Sequence, residues 1–168
     1  SRRDFTVNAM ALELTTADPE FIDPFNGLED LAKKILRTPT TAENSFSDDP
    51  LRMMRAARFA SQLDFEIAPD VLQAIKDMAG RISIISAERV RDEFTKMLMS
   101  KNPRTGITIL VETGLAEIVL PEIPKLRLEI DEHHHHKDVY EHSITVLEQA
   151  ISHEDRLGGP NLIIRLAA

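Results

Sequence analysis

Ser45-Phe46-Ser47-Asp48-Asp49-Pro50-Leu51-Arg52-Met53-Met54-Arg55-Ala56-Ala57-Arg58-Phe59 is the stretch from which the rest of the chain can be read. Serines and aspartates followed by Pro mark a helix start, because their side-chain oxygens accept orphan backbone N–H bonds and Pro tolerates the first turn. At about 100° per residue, Asp49, Arg52, Met53, Ala56, Ala60 and Leu63 fall within roughly one third of the helix circumference. A carboxylate and a guanidinium therefore head a stripe that is otherwise small and apolar. Two capping schemes are open. With Pro50 at the first helical position, Asp49 is the N-cap and backbone N–H groups consume its carboxylate. With Ser45 or Ser47 as cap, Asp49 stands free one turn before Arg52.

Downstream of this stretch, helical patterns run at about 47–63, 69–81, 86–100, 103–115 and 138–152, with a last one starting near Pro160. Asp64, Ala68-Pro69, Ser83, Asn102-Pro103, Gly114 and Gly158-Gly159-Pro160 supply the breaks. Val90, Phe94, Met97 and Leu98 form the buried stripe of the 86–100 helix, and Pro121 and Pro124 punctuate a linker. No strand signal survives beyond Ser45. Upstream, Met10–Leu14, Phe21–Phe25 and Ile35–Thr38 read as strands, Leu28–Lys34 as a short amphipathic helix, and Asn26-Gly27 as a turn. Three such short strands do not make a sheet core by themselves. The pattern is the trailing edge of an α/β unit feeding a mainly α array.

The 168 residues suffice for one sizeable domain or two small ones. There is no cysteine, which excludes disulfides and thiolate metal sites and, with no signal-like or long apolar segment, favours a cytoplasmic protein without a membrane partner. The first residues carry no initiator Met, and the last stop inside an apolar pattern, so the chain reads as a piece of something longer. A net charge of −8 argues against a nucleic-acid partner, but the distribution answers it. Residues 112–155 hold eleven Asp/Glu against three Lys/Arg, so the remainder is neutral and an RNA-facing surface belongs in the first two thirds.

The chemistry follows from residue types. Arg2-Arg3-Asp4 is either a solvated helix start or a phosphate clamp, since guanidinium forks match phosphate oxygens bidentately. Asp23-Pro24-Phe25-Asn26-Gly27 with Glu29-Asp30 reads equally as a turn into a capped helix. If Asp49 is free beside Arg52, the pair can read a nucleobase edge. The carboxylate accepts from an exocyclic amino group, and the guanidinium donates to the acceptor beside it. Cytosine and adenine present that amino group, whereas uracil and guanine place a carbonyl there.

Together, Arg2–Ala9, Asp23–Leu31, Leu36-Arg37-Thr38, Asp48–Phe59 and Ser86–Glu93 resemble, in order and spacing, the class II tRNA nucleotidyltransferases, which are the bacterial CCA-adding enzymes and their poly(A) polymerase relatives. The resemblance covers about residues 1–125. It implies the C-terminal edge of a polymerase-β-like head at 1–40 and a helical neck and body at 41–125, and residues 126–168 read as a linker and the truncated start of an HD-type helical domain. It implies that Arg2, Arg3 and Asp4 support the nucleotide triphosphate and sugar, and that Asp49 and Arg52 read the base. Arg55 and Arg58 are implied near the nucleotide and the packing around it. Asp23 to Asp30, with Gly27, match the flexible loop linked to switching between C and A. Glu88 and Arg91 match a motif bracing the reading helix. Asp48 stands where the family usually has Glu, and Asp64 replaces a family Gly at a helix end where αL geometry is tolerable. Substrates implied are CTP, ATP and a tRNA 3′ end.

His136-Lys137-Asp138-Val139-Tyr140-Glu141-His142 resembles the start of an HD-type phosphohydrolase domain, with His142 matching the first ligand of a divalent metal site. One ligand of a set does not hold a metal stably. For His133–His136, a solvated loop is the plainer reading. Rival functions are a poly(A) polymerase, an HD phosphohydrolase with a helical RNA-binding region, and a helical scaffold without chemistry. The family's Mg²⁺-binding aspartates, which align the 3′-hydroxyl and the α-phosphate, match nothing here and are expected upstream of Ser1. These 168 residues alone are therefore expected to be inactive, and incorporation of labelled CTP or ATP into tRNA by them would overturn that expectation.

Overall fold

The computed structural model describes residues 3–15, 17–126 and 139–168. A 3-10 turn at Thr6–Asn8 leads to strand β1 (Ala11–Leu12), which pairs antiparallel with β2 (Phe21–Ile22). Helix α1 (Gly27–Lys33) follows, then β3 (Ile35–Leu36), α2 (Ala42–Asp48) and α3 (Leu51–Leu63). Next come β4 (Glu66–Ile67), α4 (Pro69–Met78), a 3-10 segment at Ala79–Ile84, and α5 (Ala87–Leu98). Helices α6 (Pro103–Glu112), α7 (Leu115–Val119), α8 (Glu122–Lys125), α9 (Val139–Ser152) and α10 (Leu162–Ala167) complete the array.

The mainly helical architecture and the three upstream strands agree with the sequence pattern, and four details differ. The helix expected over 47–63 is two helices, α2 and α3, separated by Asp49-Pro50. Pro50 is the N-cap of α3 and not its first helical residue. The helix expected over 103–115 stops at Glu112, where Gly114 at φ 79° turns the chain into α7, and the Pro121/Pro124 linker contains the single turn α8. The fourth difference is β4, in a region read as free of strands. It pairs parallel with β3 (Ile35↔Glu66, Leu36↔Ile67). Two residues between the α3 stop and Pro69 are too few for a periodic signal. The strand exists because the β3 edge offers carbonyls: Glu66 N–H donates to Lys34 O at 2.9 Å and Ala68 N–H to Leu36 O at 3.0 Å. Asp64 ends α3 in the left-handed region at φ 57°, as its short side chain permits.

Helix α3 is the central beam. Met53, Met54, Ala56, Ala57 and Ala60 are buried, and the helix packs chiefly on α5 and α6. The alanines let its neighbours approach closely, and Gly106 of α6 completes the crossing. A Cβ there would overlap the Met97 thioether of α5 and the Ser61 hydroxyl of α3. On the far side, α2 lies against α4 through buried Phe46, Val71 and Ile75.

The C-terminal helices are tied to α5 by one buried cation. Arg165 binds both oxygens of Glu154 at 2.6 Å, and its Nη1 donates to the carbonyls of Leu98 and Ser100 at 2.6 and 2.7 Å. It thereby satisfies carbonyls that the end of α5 leaves unpaired. The hydrogen bonds from Arg165 hold the Glu154 carboxyl below the usual glutamate range. Overpacking of the α3–α5–α6 crossing is expected to lower stability by about 1–3 kcal/mol in Gly106→Val; an unchanged denaturation midpoint would show that the crossing has slack.

Candidate nucleotide-binding site

Asp49 occupies the corner between α2 and α3 with extended backbone, φ −147° and ψ 101°. Its Oδ1 accepts the Leu51 N–H at 3.1 Å, and its Oδ2 accepts from Arg89 Nη2 at 2.9 Å. The aspartate therefore combines the two schemes that the sequence left open. One oxygen accepts a backbone N–H at the start of α3, and the other faces side chains. Neither Ser45 nor Ser47 caps α3. Ser45 is buried inside α2, and its hydroxyl and carbonyl accept from Arg52 Nη1 at 2.9 and 3.4 Å. The preceding helix thus aims the guanidinium of the following one.

Asp49 and Arg52 open onto a cleft of about 260 Å³ lined also by Arg3, Asp4, Asn8, Leu51, Arg55 and Arg89. Four guanidinium groups stand around two carboxylates, a surplus of two positive charges. Asp4 is buried, and its Oδ2 binds Arg55 Nε at 2.6 Å. Its Oδ1 accepts from Asn8 Nδ2 at 2.7 Å and the Phe5 N–H at 3.1 Å. Burial pushes the Asp4 carboxyl up, but the bonds from Arg55 and Asn8 outweigh it and hold the group below the ordinary aspartate range. With a lowered folded pKa, its stabilising contribution is present above the ordinary aspartate pKa and is lost as pH falls through the folded value.

Behind the cleft, α3 is braced from α5. Buried Glu93 binds Arg58 Nε at 2.6 Å and lies 3.5 Å from Arg55 Nη1 and 3.6 Å from Lys96. Arg58 also donates to Gln62 at 2.6 Å and stacks over Phe59, 4.1 Å from the ring centroid. Phe59 meets Phe5 edge-on at 5.6 Å. The chain Asp4–Arg55–Glu93–Arg58 therefore links the opening segment, α3 and α5.

Residues 1–37 match the poly A polymerase head domain, and residues 64–126 match the probable RNA and SrmB-binding site of polymerase A. A CCA-adding enzyme of Lactobacillus johnsonii is 47% identical over 126 residues, covering 75% of this chain and 30% of that protein. The chain belongs to the family of CCA-adding enzymes and poly(A) polymerases. The multifunctional CCA protein of Neisseria meningitidis is 46% identical over 127 residues, 74% of this chain and 29% of the relative. The chain thus spans about 30% of the length of these curated relatives. The Bacillus stearothermophilus CCA-adding enzyme in complex with CTP superposes with a TM-score of 0.69 at 42% identity, over 74% of this chain and 31% of that one. A tRNA nucleotidyltransferase complexed with a primer tRNA and an incoming ATP analog has the same fold over 98% of this chain and 45% of that one, with a TM-score of 0.77 at 24% identity.

Within this family framework, Arg3, Asp4, Asp49, Arg52 and Arg55 come together at the cleft, and Arg2 lies outside the described residues. Two expectations change. Arg58, expected near the nucleotide, is buried and paired with Glu93, so it belongs to the brace. Glu88 and Arg91, expected to brace the reading helix, are exposed, and Arg91 pairs with its neighbour Asp92 at 3.3 Å. The contacts to α3 and its corner come instead from Arg89 and Glu93. Helical spacing carried this signal: Arg89 and Glu93 precede buried Met97 at intervals of four, whereas Glu88 and Arg91 lie on the opposite side. Asp23, Gly27 and Asp30 lie away from the cleft lining and secure α1. Asp23 accepts the Gly27 and Leu28 N–H groups at 2.7 and 2.9 Å, and those bonds hold its carboxyl below the ordinary range. Asp30 accepts from Thr6 Oγ1 at 2.7 Å. Gly27 sits against the Thr6 carbonyl, where any Cβ would collide.

The carboxylates of the cleft do not suit Mg²⁺, because Asp4 and Asp49 are each bound by a guanidinium. Among the described residues there is no group of three or more His, Asp or Glu able to hold a metal ion. His142 is exposed on α9, and His133–His136 lie outside the described residues. Among the described residues no helix is long and apolar enough to cross a membrane. Breaking the buried brace with Arg58→Met is expected to lower unfolding free energy by on the order of 3 kcal/mol, and Arg91→Ala by less than about 0.5 kcal/mol. Chemical denaturation showing the reverse order would return the brace to Arg91.

Proposed function

We propose that the protein containing this chain is a template-independent RNA nucleotidyltransferase that adds C and A to tRNA 3′ ends from CTP and ATP. The observation that carries this reading is the cleft, in which an aspartate and an arginine stand at one helix corner within a cationic surround. Asp49 supplies the acceptor for the exocyclic amino group of C or A, and Arg52 the donor for the neighbouring ring acceptor. Arg3 and Arg55, with Arg2 beside them in sequence, supply positive charge for the triphosphate. Asp4 sets Arg55 in place and faces the sugar. Asp23, Gly27 and Asp30 fix the α1 loop from which switching between C and A would proceed.

The reading takes residues 1–40 as the edge of the head, 41–125 as neck and body, and 126–168 as a linker and the start of an HD-type helical domain. The divalent cation that orients the reacting groups belongs on carboxylates other than Asp4 and Asp49. A cytoplasmic location accords with the cysteine-free sequence. The relatives named CCA-adding enzymes favour CCA addition, and the polymerase A descriptions favour a poly(A) polymerase as the second reading. Full-length enzyme offered CTP and ATP on tRNA lacking its terminal CCA separates the two, since the second adds runs of A. In the same assay, Asp49→Ala or Arg52→Ala is expected to reduce the preference for CTP and ATP over UTP and GTP by on the order of tenfold or more, the worth of a charged hydrogen bond. Unchanged preference in a folded variant would remove the pair from base recognition.

A further inference from the structure

We propose that the groove between the Ala79–Ile84 segment, α5 and α7 takes an unpaired base near the 3′ end of the RNA, with Arg81 and Arg91 on the flanking phosphates. The inference rests on the reading of this chain as part of an enzyme that extends RNA. That reading gives the cleft cations to the incoming nucleotide, so the strand being extended needs a surface of its own. The groove has a volume of about 430 Å³ and is walled by Ile85, Val90, Phe94, Ile118 and Leu120, with Ser83 and Arg91 at its edge. That volume lies in the range that holds small organic ligands. Ile118 stays 42% exposed in the wall, so an apolar face stands open to a flat, apolar-faced group such as a base.

Charge selects the occupant. Four arginines stand between Ala79 and Glu112. Arg89 is tied to Asp49, and Arg104 to Glu141 and Glu148. Among the described residues, Arg81 and Arg91 meet no carboxylate from another element. Arg81 donates to the Ser47 carbonyl at 3.3 Å, and Arg91 pairs with its exposed neighbour Asp92. Such a surface pair contributes little and yields to a phosphate, whose oxygens match a guanidinium fork. No carboxylate stands among the described lining residues, so nothing in the groove opposes a polyanion. An apolar helix of a protein partner would fill the same walls but has no use for the two guanidiniums. At about 100° per residue, Arg91 lies about 200° round α5 from Arg89, so groove and cleft occupy opposite flanks of one helix. Arg81 bridges those flanks. It belongs to the segment whose Ile82 and Ser83 line the groove, and its partner Ser47 stands two residues before Asp49. A strand passing round the start of α5 meets Arg91, the groove and Arg81 before it reaches the cleft. The apolar walls carry no base-edge code, which suits an RNA end held by an unstacked base whatever its identity.

The test takes the full-length enzyme and tRNA lacking its terminal CCA, with Kd measured by filter binding over a range of salt and KM for CTP measured in parallel. Arg81→Ala and Arg91→Ala are each expected to weaken RNA binding on the order of three- to tenfold. Each is also expected to lower the slope of log Kd against log salt by about 0.7, the share of one phosphate on a single strand. Ile118→Ala removes part of the wall and no charge, so it weakens binding about threefold with the slope unchanged. All three side chains are exposed, which keeps the variants folded. KM for CTP and the preference for CTP over UTP stay at the parent value. Unchanged affinity and slope in both arginine variants, in an enzyme that still adds C and A, overturn the groove as an RNA site and leave the proposed function standing. A protein partner in the groove gives that same result. A lowered slope in the arginine variants with affinity untouched by Ile118→Ala overturns the docked base. A parent enzyme that adds neither C nor A to the RNA overturns the proposed function itself.

Discussion

The structure turns on a carboxylate that belongs to two helices. Asp49 ends α2 and, through one oxygen, accepts the first N–H of α3, while its other oxygen receives Arg89 of α5. The corner, the start of α3 and the third helix therefore meet at one half-buried group. The same logic repeats below it. Glu93 is buried among Arg55, Arg58 and Lys96, and Asp4 is buried against Arg55 and Asn8. Removing a cation from Glu93 or Asp4 strands a charge away from solvent, which makes these two clusters rigid as well as specific.

Rigidity is what the proposed base-reading role of Asp49 and Arg52 needs. A nucleic-acid template holds its donors and acceptors by stacking and backbone. In the proposed role the equivalent groups hang on flexible side chains, and the selectivity of a hydrogen bond survives only if the side chain has few alternatives. The apolar packing supplies the platform: alanines on α3 and Gly106 on α6 bring three helices close enough that α5 can reach across. The Arg165–Glu154 pair then fastens the far end of α5 to the C-terminal helices. The beam that carries Arg89 and Glu93 is therefore held at both ends.

The proposed role brings opposite charge requirements into the cleft. A base to be read by Asp49 needs a carboxylate acceptor, and a triphosphate needs cations. Arranging four guanidiniums around two carboxylates reconciles them, because each carboxylate is neutralised by a neighbour and positive charge remains in excess. The acidic surplus of the chain lies elsewhere, in residues 112–155, so the net charge of −8 does not describe the surface that matters.

Much of this was legible in the sequence. The helices from α3 to α6, the left-handed stop at Asp64 and the placement of Asp49 and Arg52 at one corner follow from periodicity, turn chemistry and spacing, which are local properties. The strand β4 was not legible, because two residues carry no period and only the open edge of β3 makes them a strand. The capping of α3 was left as a choice between Asp49 and the serines, and it required the α2–α3 corner to be built before one oxygen could be assigned to each task. Nor did the sequence separate Arg58 from Arg55, or Arg89 and Glu93 from Glu88 and Arg91. Those residues are of the same types and one to three positions apart, and what distinguishes them is which side of the helix meets α3. The sequence by itself determined the inventory of charged groups and the helices that carry them. The tertiary structure alone decided which charges are buried as braces and which face the cleft, because that depends on helix rotation and packing partners distant along the chain.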